Sequence, residues 1–263
     1  MTTESTKTKG LEWKWIVVGV IAGTFLTLLL HKVMALTFHT ATVPMFMSLL
    51  GFAVMGIIIG FKSQGYTIIE PAVGGILTAV IVGIVLVIYG GVVFSSLETY
   101  LAPVVGFVFG LLGGWVGEEL HVPTDVAQHQ IEEEKKGKLQ WAWIAVGTVL
   151  AFILSNFFVF GGFAILKFGI PGIFVSLGFS FFIAGLLTGY FSPGITIKES
   201  AIAGVFSMIL NYILLLTLFS VTFKEMGQNY TVIIETLFGG FILALIGGWV
   251  GEKIQSFMED RPE

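Results

Sequence analysis

Apolar residues in this chain do not alternate with polar ones at either a helical or a strand period. They form continuous uncharged runs, separated by short polar punctuation. A helix needs about 20 apolar residues to cross a hydrocarbon core of about 30 Å. Runs of that order fall at residues 14–35, 43–61, 71–94, 100–117, 141–164, 171–191, 200–222 and 231–251. The pattern predicts an all-α polytopic membrane protein with eight transmembrane helices. Pro71 and Pro171 stand at the start of the third and sixth runs, where a proline removes only an amide that would have had no intrahelical acceptor.

The punctuation repeats. Trp13 and Trp15 in LEWKWIVVGV match Trp141 and Trp143 in LQWAWIAVGT. GYTIIEPAVGG, from Gly65 to Gly75, matches GITIKESAIAG, from Gly194 to Gly204. LGGWVGE at 112–118 matches IGGWVGE at 246–252. The offset drifts from 128 (13 to 141) through 129 (70 to 199) to 134 (118 to 252), as a copied unit with a few added loop residues would show. We expect two tandem four-helix repeats. Four is even, so both copies insert with one polarity, related by a pseudo-two-fold axis along the membrane normal. The expected organisation is an N-terminal cytoplasmic tail at 1–10, repeat 1 at 11–118, a charged cytoplasmic linker at 119–138, repeat 2 at 139–252 and a C-terminal cytoplasmic tail at 253–263. In the linker, Thr124 caps an expected short helix running toward Lys135 and Lys136.

Composition fits lipid as solvent: 56% of residues are hydrophobic and 11% charged, against about 25% charged in soluble domains. The 25 Phe and 34 Gly point the same way. With a net charge of −4 and no basic tract, the chain has no footprint for nucleic acid. The absence of Cys removes disulfides, thiolate metal sites and cysteine nucleophiles.

Lys7, Lys9, Lys14, Lys62, Lys135, Lys136, Lys138, Lys198, Lys253 and Arg261 fall on the side of the N-terminus, and Lys32, Lys167 and Lys224 fall opposite. That bias places both termini in the cytoplasm, and the six Trp near the same interface agree. The first span follows three lysines like a signal peptide, but its opening recurs inside the chain and no cleavage site follows, so retention is expected. The duplicated motif resembles those of uncharacterised bacterial membrane proteins, which implies the bacterial inner membrane and no particular activity.

Four candidate polar or solute contacts stand out. Thr67-x-x-Glu70 and Thr196-x-x-Glu199 have capping-box spacing: the Thr oxygen accepts the amide three residues on, and the Glu reaches back to the start of its own helix. Helix capping accounts for both pairs. The competing reading is a cation or headgroup site lined by Glu70 and Glu199. Asn156 and Asn211 are the central polar residues of the fifth and seventh spans, and their counterparts by offset are Leu28 and Val82. An interhelical hydrogen bond is the plain reading and a solute contact the alternative.

Gly56-x-x-x-Gly60, Gly113-x-x-x-Gly117, Gly185-x-x-x-Gly189 and Gly247-x-x-x-Gly251 place pairs of glycines on single helix faces, where backbones can approach closely. Intrachain packing is the first use expected. Contact with a second copy or another membrane protein is the other. No ionisable side chain lies near the middle of a span, which weakens ion-coupled transport. Glu118-x-x-His121 has di-iron spacing, but its repeat-2 equivalent, Glu252 to Gln255, lacks the His. His129 and Glu132 lie in the charged linker. No phosphate loop, dinucleotide fingerprint or nucleophile elbow is present. We therefore expect no catalytic residues, no cofactor and no metal. The expected function is a non-enzymatic accessory, scaffold or envelope-organising subunit. The alternative is a facilitator for a small neutral or lipid-like solute at the repeat interface.

Overall fold

The computed structural model describes residues 11–38, 42–63, 68–90, 97–121, 139–167, 169–192, 197–218 and 230–259. These form eight α-helices: α1 (Trp13–Thr37), α2 (Thr42–Lys62), α3 (Ile69–Gly90), α4 (Leu97–Glu119), α5 (Trp141–Leu166), α6 (Ile170–Phe191), α7 (Ile197–Leu218) and α8 (Tyr230–Glu259). All eight are long and apolar enough to cross a bilayer. Most of the linker, including the expected helix at 124–136, lies outside the described residues, as do Thr67 and Thr196.

Helix limits differ from the apolar runs for a physical reason. A run stops at the first charge, but a helix does not. Glu70 and Glu199 sit inside the first turns of α3 and α7, where a carboxylate meets the positive end of the helix dipole. Likewise α8 continues past Glu252 and Lys253 to Glu259. Pro171 occupies the first turn of α6.

The chain divides into two compact units. The first contains residues 1–30 and 48–121, and the second residues 31–47 and 122–263. The end of α1 and the start of α2 therefore group with the second unit, not with the rest of their own helices.

In the first unit, Met55 and Ile59 of α2 are fully buried in grooves that small residues leave open. A side chain at Gly19 would strike Ile59, and one at Gly23 or Gly74 would strike Met55. Farther along, Phe52, Ala79 and Val82 form a buried cluster against which Leu28, Leu49, Leu86, Ala102 and Phe109 pack. On α4, Gly113 and Gly117 lie against the Ala53 and Ile57 carbonyls of α2, while Gly56 and Gly60 lie against the backbone at Gly110 and Gly114. No Cβ fits at any of the four.

The second unit packs by the same means. Gly185 and Gly189 of α6 meet the backbone of Ala244 and Gly248 on α8, and Gly247 and Gly251 meet the carbonyls of Phe182 and Leu186. Phe181 is buried beside this seam, within reach of Gly240. Phe38 and Phe46, from the segment that joins this unit, enter a Phe cluster. Phe38 stacks on Phe163 at 5.6 Å and meets Phe160 edge-on at 6.0 Å, and Phe46 packs edge-on against Phe152 and Phe160.

Candidate functional site

Asn156 lies on α5 and Asn211 on α7, and the structure brings them together. The Asn156 amide Nδ2 donates to the Phe152 carbonyl and to Asn211 Oδ1, both at 2.8 Å. The Asn211 amide Nδ2 donates to Ser155 Oγ and to the Ser207 carbonyl, both at 3.0 Å. Ser155 Oγ in turn donates to the Phe152 carbonyl. A side-chain amide has two N–H donors, so all four donors of the pair are spent inside the unit. Such closure is what an apolar surrounding demands, because an amide left unpaired there has no water to turn to. Beside it, the hydroxyls of Tyr212 and Thr236 hydrogen-bond and join α7 to α8.

At the offset positions the first unit is apolar: Leu28 packs on the cluster that contains Val82. Ser155 escaped the sequence reading, although the polar doublet Ser155–Asn156 inside an apolar run was a visible sign.

Glu70 and Glu199 are buried, at 1% and 4% exposure. The bond expected from each Glu to the start of its own helix is not the one found for Oε1. Glu70 Oε1 accepts the backbone N–H of Glu12 at 2.6 Å, and Glu199 Oε1 accepts that of Gln140 at 3.1 Å. Glu12 and Gln140 immediately precede α1 and α5, and their carbonyls accept the first helical amides, from Ile16 and Ile144. Each carboxylate thus serves the N-terminus of a neighbouring helix. This geometry needs only a buried oxygen at the right place, because the first amides of any helix lack internal acceptors. The repeated LEWKW and LQWAW placed Glu12 and Gln140 in register, but nothing in the local spacing named them as partners. Two further buried residues, Ser63 and Ser192, close α2 and α6 through amide bonds to the Ile59 and Thr188 carbonyls.

His121 turns its ring edge-on to Phe61 at 5.6 Å, and its amide bonds the Glu118 carbonyl. Among the described residues, no group of three or more His, Asp or Glu could hold a metal ion. His129 and Glu132 lie outside them. No protein-family model, curated protein or solved structure matches the chain.

Proposed function

We propose that this protein is a tandem duplication of a four-helix unit that works as a non-catalytic accessory or scaffold subunit in the bacterial inner membrane, with both termini in the cytoplasm. One observation carries the reading: the polar residues that could have formed a solute site are engaged in holding helices together, with all four Asn156 and Asn211 donors used internally. The glycine faces tell the same way, since every one of the eight predicted glycines has its open side against backbone of its own unit. Duplication is supported by interactions that recur at the sequence offsets. Glu12 to Glu70 becomes Gln140 to Glu199, and Gly60 on Gly114 becomes Gly189 on Gly248.

A scaffold presents its outer surface to a partner, which here is another membrane protein or a second copy. The test is extraction into native lipid discs with crosslinking, and identification of what remains attached to the full chain. A protein recovered at fixed stoichiometry supports the reading.

The alternative, a facilitator for a small neutral or lipid-like solute, has in its favour the concentration of polar side chains along α5 and α7. Flux into proteoliposomes that disappears in the N156L/N211V double variant would replace the scaffold reading with this one.

A further inference from the structure

The backbone contacts of one unit recur in the other. Gly56, Gly60, Gly113 and Gly117 lie against backbone at Gly110, Gly114, Ala53 and Ile57, and Gly185, Gly189, Gly247 and Gly251 lie against backbone at Ala244, Gly248, Phe182 and Leu186. Each contact is the other displaced by the sequence offsets, 129 (56 to 185) and 134 (110 to 244). Gly75 against Gly106 returns as Gly204 against Gly240, and Glu70 on Glu12 returns as Glu199 on Gln140. Such contacts do not distinguish the units. A hairpin of α1 and α2 would find in α7 and α8 the same glycines and the same carboxylate that it finds in α3 and α4. Exchange of equivalent elements, within a chain or between copies, is a characteristic failure of repeated folds.

A buried polar cluster does distinguish them. Asn156 of α5 donates to Asn211 of α7, and Asn211 donates to Ser155. The corresponding residues of the first unit, Leu28 and Val82, pack in an apolar cluster with Phe52 and Ala79. After exchange, Asn211 would face Leu28 and Asn156 would face Val82. Both interhelical bonds would be lost, and the amides would be left in an apolar surrounding with no water to replace them. Ala203 in place of Gly74 is a smaller difference on the same helices, since a Cβ at Gly74 meets the far ends of the Ile59 and Met55 side chains, which can shift.

We propose that the Asn156–Asn211–Ser155 cluster is a pairing code that holds α5 to α7 and excludes exchange of helix hairpins between the two units or with a second copy of the chain. A single buried polar residue fixes partner and register in coiled coils through the same penalty. The code rests on the duplication proposed above. It makes fidelity depend on the difference between the units, so a pair of amides in either unit serves, and a pair in both or in neither does not.

The chain has no Cys, so introduced cysteines report pairing without background. Leu11, Ile69, Leu139 and Lys198 are exposed beside the Glu12–Glu70 and Gln140–Glu199 bonds. In the full chain in lipid nanodiscs, L11C/I69C and L139C/K198C read correct pairing and L11C/K198C reads exchange. One interhelical bond shifts a pairing equilibrium about 3- to 20-fold. With two bonds removed, N156L/N211V should raise exchange relative to correct cross-linking about tenfold or more. L28N/V82N, with amides in both units, should raise it as well, and the quadruple variant L28N/V82N/N156L/N211V should return it to the wild-type level. Wild-type exchange in both double variants overturns the proposal. Loss of correct cross-linking without an exchange product overturns it too, because the amides would then only stabilise their own unit, as does raised exchange in the quadruple variant. A double-mutant cycle on L28N and V82N checks the register separately. Absence of coupling there refutes the duplicated register and the code with it, whereas coupling with unchanged pairing refutes the code alone.

Discussion

Glu199 of α7 accepts the backbone N–H of Gln140, at the head of α5, from 59 residues away in sequence. The bond ties two helix N-termini together with one side chain and supplies an acceptor that neither helix has internally. Loss of an N-terminal cap costs about 0.5–2 kcal/mol, and here the orphaned amide would also be partly buried. E199A should therefore destabilise the protein by about 1–2 kcal/mol. E199Q keeps a carbonyl oxygen in place and should recover most of the loss. Thermal unfolding in nanodiscs measures both, and hydrogen exchange should quicken in the first turn of α5 for E199A alone. Equal loss in both variants would mean that charge, not the acceptor, matters.

How much of this was legible in the chain differs by interaction range. The eight helices could be read because hydrocarbon thickness imposes a length that any apolar run displays. Glu70, Glu199, Asn156 and Asn211 stood out as polar exceptions, but their partners did not. Thr-x-x-Glu spacing describes a local geometry and says nothing of a backbone amide 58 or 59 residues away. Phe38 and Phe46 gave no warning that their segment groups with the second unit, because two Phe among 25 carry no pairing information.

Glycine substitutions should separate packing from mere helix composition. Gly185 and Gly189 face the α8 backbone with no room for a Cβ, whereas an added Cβ at Gly83 or Gly239 meets nothing within 4 Å. G185A and G189A should each lower stability by about 1–3 kcal/mol, the range for overpacking a rigid contact. G83A and G239A should be neutral or stabilising by up to about 1 kcal/mol, since Ala is the better helix former. A Tm series in one lipid composition decides this, and uniform losses across the four variants would remove the close-approach explanation.

The Asn156–Asn211 pair predicts strong non-additivity. N211V alone leaves Ser155 Oγ without its donor and Asn156 with an unanswered N–H. N156L alone leaves Asn211 Oδ1 unanswered. The double variant installs the residues that the first unit carries at the offset positions, Leu28 and Val82, which pack in one apolar cluster. A double-mutant cycle should give a coupling of about 0.6–1.7 kcal/mol, from the average to the largest value found for interhelical hydrogen bonds in a membrane protein. Additive losses would show that the two amides do not support one another.

Phe38 stacks on Phe163 and meets Phe160 edge-on, so removing its ring should loosen the segment that joins α1 to α2 without touching the glycine seams. Aromatic pairs contribute about 0.5–1.5 kcal/mol beyond their buried area. F38A should therefore cost at least that much, while F38L, which keeps apolar volume but loses the ring, should isolate the aromatic share. Hydrogen exchange in the last turn of α1 reads the local effect and Tm the global one. If exchange there quickens in F38A while Tm falls little, the cluster holds the end of α1 alone. A parallel fall in Tm would make it part of the stability of the whole second unit, and exchange equal to that of the wild type would deny the cluster any anchoring role.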